Sequence, residues 1–250
     1  MSSLNGAKKD SDIREPSQKT PPGRRPNPIV EPCNTLPMPT FTDSAQEQNR
    51  AMAQYYRLQS KIYDATRWSF LFGRKEVLRQ LPFAQDEAFH LLEVGCGTGF
   101  NLKRLARYYP KAQLTGLDVS PDMVRLSRKQ TRDYDERVQV LEQPYRPGAD
   151  HWSGQPDAVL FSYSLTMINP QWPDLIRQAL ADLKPGGVVA VADFHNSPMP
   201  WFKAHMSNHH VRMDGHLLPV LQDSFVTAYR KVGKAYGGIW EYLVFVGRKG

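Results

Sequence analysis

The chain has 250 residues, 40% of them hydrophobic, and a formal net charge of +7, so it can bury one sizeable core with appendages. Its two cysteines, Cys33 and Cys96, exclude a disulfide framework. Its longest apolar runs, such as residues 187–192, fall short of the roughly 20 residues a membrane-spanning helix needs. The polar N-terminus lacks the apolar core of a secretory signal, so a cytoplasmic protein is expected, and the positive charge points to an anionic partner such as nucleic acid or anionic lipid.

In chain order, residues 1–45 scatter Pro16, Pro21, Pro22, Pro26, Pro28, Pro32, Pro37 and Pro39 among charged and small polar residues without apolar period. Such a segment buries too little to offset its ordering entropy and reads as a disordered tail, or else as a docking arm. The folded domain is expected over 46–250. It opens with an aromatic-rich helical cap, 46–85, read as two helices broken near Ala65 and Gly73.

Strand and helix patterns then alternate: strand 90–95, helix 99–108, strand 113–119, helix 121–131, strands 138–142 and 157–163, helix 172–183 and strand 187–194. Ser120-Pro121 offers an N-cap followed by proline at the first helical position, and Pro185-Gly186-Gly187 stops a helix. Residues 196–222, rich in histidine, methionine and proline, read as an irregular insertion. Alternating strands at 224–231 and 239–247 finish the sheet. The expectation is an α/β fold with a doubly wound, mainly parallel seven-stranded sheet.

Leu91-Leu92-Glu93-Val94 runs into Gly95-Cys96-Gly97-Thr98-Gly99, a glycine turn between the first strand and the helix after it. A β-carbon there would obstruct both the turn and the approach of a ligand, and the helix N-terminus favours a negative group such as a carboxylate. A dinucleotide site has the spacing G-x-G-x-x-G, whereas here the third glycine comes one residue early and Phe100 follows it. The second predicted strand ends at Asp118, about 20 residues on, where a carboxylate can accept both ribose hydroxyls of a nucleoside.

The pattern E-V-G-C-G-T-G-F, the strand-ending Asp118 and the later L-K-P-G-G-V-V-A-V-A-D-F together resemble class I, Rossmann-like methyltransferases over residues 88–195. The resemblance implies S-adenosyl-L-methionine as cofactor. It sets Gly95, Gly97 and Gly99 against the methionine part, Glu93 near its amino group and Asp118 on the ribose. Cys96, Val119, Met123 and Ser162, with Tyr63 and Arg67 from the leading segment, complete the expected cofactor-binding set. Met123 reads equally as a packed helix residue. After the third strand the sequence is Leu141-Glu142-Gln143-Pro144-Tyr145, a departure from the family that leaves the adenine contact open.

The flanks are more specific. Y-R-L-Q-S-K-I-Y-D-A-T-R-W-S-F-L-F-G-R over 56–74, His209-His210-Val211-Arg212, and the stretch from Tyr236 to Lys249 resemble betaine-lipid N-methyltransferases from about residue 50 to the end. Those enzymes methylate the amine of diacylglyceryl-homoserine three times. The resemblance implies a lipid substrate with an amine headgroup and peripheral attachment to an anionic membrane face.

Methylating an amine needs alignment, exclusion of water and removal of a proton. Deprotonating an ammonium of pKa about 8 to 10 costs on the order of 1 to 4 kcal/mol at neutral pH. Tyr163 after the fourth strand and His195 after the fifth stand at the sheet edge where open α/β folds bind ligands, and are the catalytic candidates, with structural hydrogen bonds as the competing role. A quaternary product donates no hydrogen bonds, so the aromatic faces of Tyr56, Tyr63 and Trp68 could hold it by cation–π attraction, with core packing as the alternative. Arg67 could hold a carboxylate.

Five of the seven histidines lie between 195 and 216. No metal is expected, because no cysteine or H-E-x-x-H pattern accompanies the His205/His209 spacing. Trp201, His209 and Arg212 are instead read as substrate or headgroup contacts. No nucleic-acid partner is expected, since an N/D-P-P-Y/F pattern after the fourth strand is lacking and no RNA-binding module is recognisable. The rival readings are methylation of phosphatidylethanolamine or of a small soluble amine, and a non-catalytic lipid-binding protein on the same fold.

Overall fold

A computed structural model of the chain describes residues 71–146 and 154–250. The expected tail, Tyr56, Tyr63, Arg67 and Trp68 lie outside the described residues. The described elements are helix α1 (Arg74–Arg79), strand β1 (His90–Val94), α2 (Phe100–Tyr108), β2 (Gln113–Asp118), α3 (Pro121–Thr131), β3 (Val138–Glu142), β4 (Ala158–Ser162), α4 (Trp172–Asp182), β5 (Val188–Asn196), α5 (Pro200–Asn208), α6 (Leu217–Ser224), β6 (Val226–Ala235) and β7 (Trp240–Arg248).

The local signals act as expected. Ser120 caps α3 by accepting the Met123 N–H at 3.4 Å, with Pro121 at the first helical position. Gly73 takes a left-handed backbone, φ 81°, immediately before α1, the break foreseen there.

The seven strands form one sheet in the order β3-β2-β1-β4-β5-β7-β6. β1 to β5 run parallel to one another, and β7 inserts antiparallel between β5 and β6. Leu91 joins the apolar cluster on one face of the sheet while Leu92 and Val94 join the other. This is why the central strands read as unbroken apolar runs: successive side chains point to opposite faces, and both faces are covered. Truncating fully buried Leu92 to alanine removes about 2 to 5 kcal/mol of stability. The strand order reverses between β1 and β4, so their C-terminal ends diverge around a crevice.

One expectation needs correcting. Residues 196–222 are not irregular; they carry α5 and α6. Pro200 starts α5, and Pro219 lies within the first turn of α6, where a missing N–H costs nothing. Leu217 and Leu221, one helical turn apart, are both buried in the sheet-covering cluster. The strand β5 also runs two residues beyond Phe194, so His195 lies within it.

Candidate active site

The turn after β1 is shaped by two contacts with the strands beside it. The N–H groups of Gly95 and Cys96 both donate to the Leu117 carbonyl at 2.9 Å. The Gly97 N–H donates to Asp118 Oδ2 at 2.8 Å, while Oδ1 of the same carboxylate accepts the Ser120 N–H at 2.9 Å. Asp118 thereby ties the glycine turn to the turn after β2. Each carboxylate oxygen has further acceptor capacity for a ribose hydroxyl.

The first and third glycines are required for different reasons. Gly95 has φ 72°, and a β-carbon on it would lie 2.8 Å from Ser164 Cβ, so the turns after β1 and β4 approach each other only without a side chain there. Gly99, at φ 81°, would carry a β-carbon 2.4 Å from Ser127 Oγ and 3.0 Å from Ser127 Cα. It does not line the ligand cavity, so its bareness lets α2 pass close to α3. Packing against Ser127 therefore accounts for the glycine at this position, and Gly99, like buried Glu93, is not among the residues that line the cavity.

Glu93 is almost wholly buried. Its Oε1 accepts Asn101 Nδ2 at 2.7 Å, whereas Oε2 is buried with no hydrogen-bond partner among the described residues. Loss of water pushes its pKa up to about 7, against the pull of Asn101 and the Arg74 guanidinium. An orphaned buried carboxylate oxygen is costly unless something completes it, and the ammonium of a methionine moiety would do so. Glu93, the bare turn at Gly95 and Gly97, and Asp118 thus fit S-adenosylmethionine.

A cavity of about 930 Å³ opens at the C-terminal edge of the sheet. At one end it is bounded by Gly95, Gly97, Asp118, Val119 and Met123, and beside them by Gln143, Pro144 and Tyr145 after β3. Tyr163 and Ser164 after β4 form its floor, and Met167, Ile168 and Trp172 continue it. Residues from the segment thought irregular, Lys203, His210, Arg212 and Met213, also line it.

Several expected contacts fall elsewhere. Cys96 Sγ packs near Ser127, and the nearly buried thiol, its pKa raised by desolvation, faces the core. Ser162 is buried with its Oγ unpartnered among the described residues, but does not line the cavity. His195 lies in β5 with its ring against Gly215, also off the cavity. Trp201 is 63% exposed, its ring edge-on to Phe202, and the His209 ring meets that of His205 edge-on at a centroid distance of 4.8 Å; neither lines the cavity. His210 does, because α5 ends at Asn208 and His210 adopts a left-handed backbone, φ 61°. Tyr163 borders the cavity, while its ring packs edge-on to Phe194 and its hydroxyl donates to the Phe72 carbonyl at 2.7 Å.

One structural residue escaped the sequence reading. Asp193, fully buried in β5, accepts the Leu165 N–H at 2.9 Å, the Thr166 N–H at 3.3 Å and the Thr166 hydroxyl. Burial pushes its pKa up to about 6 despite these bonds. The turn it holds carries Met167 and Ile168 into the cavity, and the Thr166 carbonyl accepts the Arg212 N–H at 3.0 Å. The D-F of the strand-five motif was the available signal.

Residues 91–187 match the methyltransferase domain family. Trans-aconitate 2-methyltransferase of Azoarcus sp. (strain BH72) is 28% identical over 117 residues, 47% of this chain and 43% of that protein. The chain therefore matches less than half the length of this curated relative. Among solved structures, 1,6-didemethyltoxoflavin-N1-methyltransferase of Burkholderia thailandensis, with S-adenosylhomocysteine bound, superposes with a TM-score of 0.61 at 16% identity, over 86% of this chain and 92% of that one. N-methyltransferase NodS of Bradyrhizobium japonicum WM9, also with S-adenosylhomocysteine, does so with a TM-score of 0.56 at 17% identity, over 70% and 85%. At such identities the likeness speaks for the fold. The described residues accordingly form the class I, Rossmann-like fold seen in S-adenosylmethionine-dependent methyltransferases, and residues 91–187 are the part similar to the methyltransferase domain family.

Proposed function

We propose that this protein methylates the amino group of a diacylglyceryl-homoserine lipid, in succession, to the trimethylated betaine. The observation that carries the reading is the cavity beyond the glycine turn: apolar Met167, Ile168, Trp172 and Met213 continue directly from the cofactor end. A wall of this kind excludes water and accepts the apolar neck of an amphiphile. The resemblance of residues 56–74, 209–212 and 236–249 to betaine-lipid N-methyltransferases supports the headgroup.

When bound, S-adenosylmethionine supplies an electrophilic methyl group on a sulfonium. Glu93 Oε2 would complete its hydrogen bonding on the methionine ammonium, Gly95 and Gly97 would leave room for backbone approach, and Asp118 would accept the ribose hydroxyls. His210, the imidazole on the cavity wall, takes the proton from the incoming amine or passes it to water. Exposed Trp201, near the N-terminus of α5, supports contact with an anionic membrane face, as does the +7 charge. Among the described residues no helix is long and apolar enough to cross a membrane.

A second reading is methylation of a carboxylate on a small polyacid, as the relatives' name, trans-aconitate 2-methyltransferase, says of them. Arg146, Lys203 and Arg212 on the cavity favour it. Methyl-labelled cofactor offered with diacylglyceryl-homoserine, phosphatidylethanolamine or trans-aconitate separates the readings. Label in the homoserine lipid upholds the proposal. Label in either of the others with none in the homoserine lipid overturns it.

A further inference from the structure

We infer that the part of the cavity lined by Arg212 and Lys203 is a carboxylate-binding site, with these two as its charged groups and an amine that carries a nearby carboxylate as its ligand. This deepens the lipid reading, on which it rests for the identity of that ligand.

Charge around the cavity is unevenly placed. Asp118 at the glycine-turn end is the one acidic residue among the described residues that line it, whereas Arg146, Lys203 and Arg212 line it too. The lining therefore carries more positive than negative side chains, and Arg212, 48% exposed and ion-paired with Asp214, is within reach of an incoming anion.

Arg212 is also held ready. Its backbone N–H donates to the Thr166 carbonyl at 3.0 Å, so its position depends on the turn that buried Asp193 anchors. Its Nε donates to Asp214 Oδ2 at 2.7 Å, and its Cζ lies 6.0 Å from the Trp172 ring centroid. Asp214 is itself fixed, accepting the His216 backbone N–H at 3.3 Å and contacting the His216 ring through Nδ1. Binding Asp214 through Nε keeps the two terminal amino groups of the guanidinium for a ligand, and this planar fork matches a carboxylate. Lys203, from α5, adds a second cation to the same wall.

An amine without an anion gains nothing from this wall. An α-amino acid headgroup presents both charges within one or two bonds, so anchoring its carboxylate restricts where its nitrogen can lie. Arg212 and Lys203 then select the acceptor and orient it, without touching the transferred group.

The test is calorimetric titration, with S-adenosylhomocysteine present, of dihexanoylglyceryl-trimethylhomoserine and of its carboxyl methyl ester. The wild type is expected to bind the acid about 10- to 100-fold more tightly than the ester, the range for losing a hydrogen-bonded charge. Arg212→Gln and Lys203→Gln are each expected to weaken the acid about tenfold or more and to leave the ester within about twofold. Unchanged affinity for S-adenosylhomocysteine certifies that the variants are folded. Equal binding of acid and ester by the wild type, or equal losses for both in the variants, overturns the site. If the wild type neither binds nor methylates the homoserine compounds, the lipid reading fails by itself, and trans-aconitate against its trimethyl ester becomes the probe pair. Preference for that acid, lost in Arg212→Gln, upholds the carboxylate site; absence of any preference overturns it.

Discussion

Substituting Gly99 by alanine separates a packing role for the third glycine from a ligand-binding one. The added β-carbon would lie 2.4 Å from Ser127 Oγ and 3.0 Å from Ser127 Cα. The hydroxyl can rotate away, but the Cα belongs to the backbone of α3, so the helices must separate slightly. A left-handed alanine costs about 1 to 2 kcal/mol, and overpacking of this kind adds about 1 to 3 kcal/mol. The expected loss is about 2 to 5 kcal/mol, a large share of a typical stability of about 5 to 15 kcal/mol. For a domain of this size it lowers Tm by about 4 to 20 °C. Adding Ser127→Gly should recover only the part owed to Oγ and Cβ, since the 3.0 Å approach to Cα and the φ of 81° stay and a glycine inside α3 itself costs about 1 kcal/mol. Urea unfolding measures the losses, and titration with S-adenosylhomocysteine reports the site. Folded Gly99→Ala should bind within about threefold of wild type, because Gly99 does not line the cavity. A stability loss below about 0.5 kcal/mol, or full stability with binding abolished, refutes the reasoning.

Asp118→Ala should weaken S-adenosylhomocysteine about 10- to 100-fold, since it removes the ribose acceptor and releases the Gly97 and Ser120 N–H groups; binding as tight as wild type would show the carboxylate to be irrelevant. Glu93 has its folded pKa raised from 4.5 to about 7, so the stability linked to its protonation is fully present below 4.5 and lost as pH rises through 7, on the order of 3 kcal/mol. Asp193, raised from 3.8 to about 6, contributes with the same sign. Urea midpoints of the ligand-free protein should therefore fall between about pH 4 and 7, and less steeply in Glu93→Gln. A cofactor ammonium stabilises ionised Glu93, so S-adenosylhomocysteine should bind more tightly as pH rises through 7, a trend absent from Glu93→Gln; parallel profiles would contradict the pairing. Tyr163→Phe should cost about 1 kcal/mol through loss of the bond to the Phe72 carbonyl while kcat stays within about fivefold, and a hundredfold fall in kcat would instead assign the hydroxyl to the chemistry.

Much of the frame could be read from local sequence because its causes are local. The cap at Ser120-Pro121 brackets α3 at the foreseen residues, and β3 and α3 have the foreseen bounds. Glu93, Gly95, Gly97 and Asp118 stand together because a turn between a strand and a helix brings its own ends close. The seven strands and their alternation with helices followed from periodicity, which depends on each residue's immediate neighbours.

The direction in which a side chain faces is another matter, since it depends on segments far apart in the chain. Cys96 and Gly97 are adjacent, yet one packs near Ser127 and the other borders the cavity. His210 replaces His209 at the wall because a helix end and one left-handed residue rotate the chain. Asp193 looked like one more strand residue until β5 was set beside the Leu165–Met167 turn whose N–H groups it receives. The insertion of β7 between β5 and β6, the closure of α2 on α3 at Gly99, and the assembly of Lys203 and Arg212 opposite Asp118 are likewise long-range facts. Periodicity and turn chemistry fix elements and the glycine turn through short-range sterics and hydrogen bonding, whereas the cavity's wall and its charge arise only when distant segments compete to bury the same apolar surface.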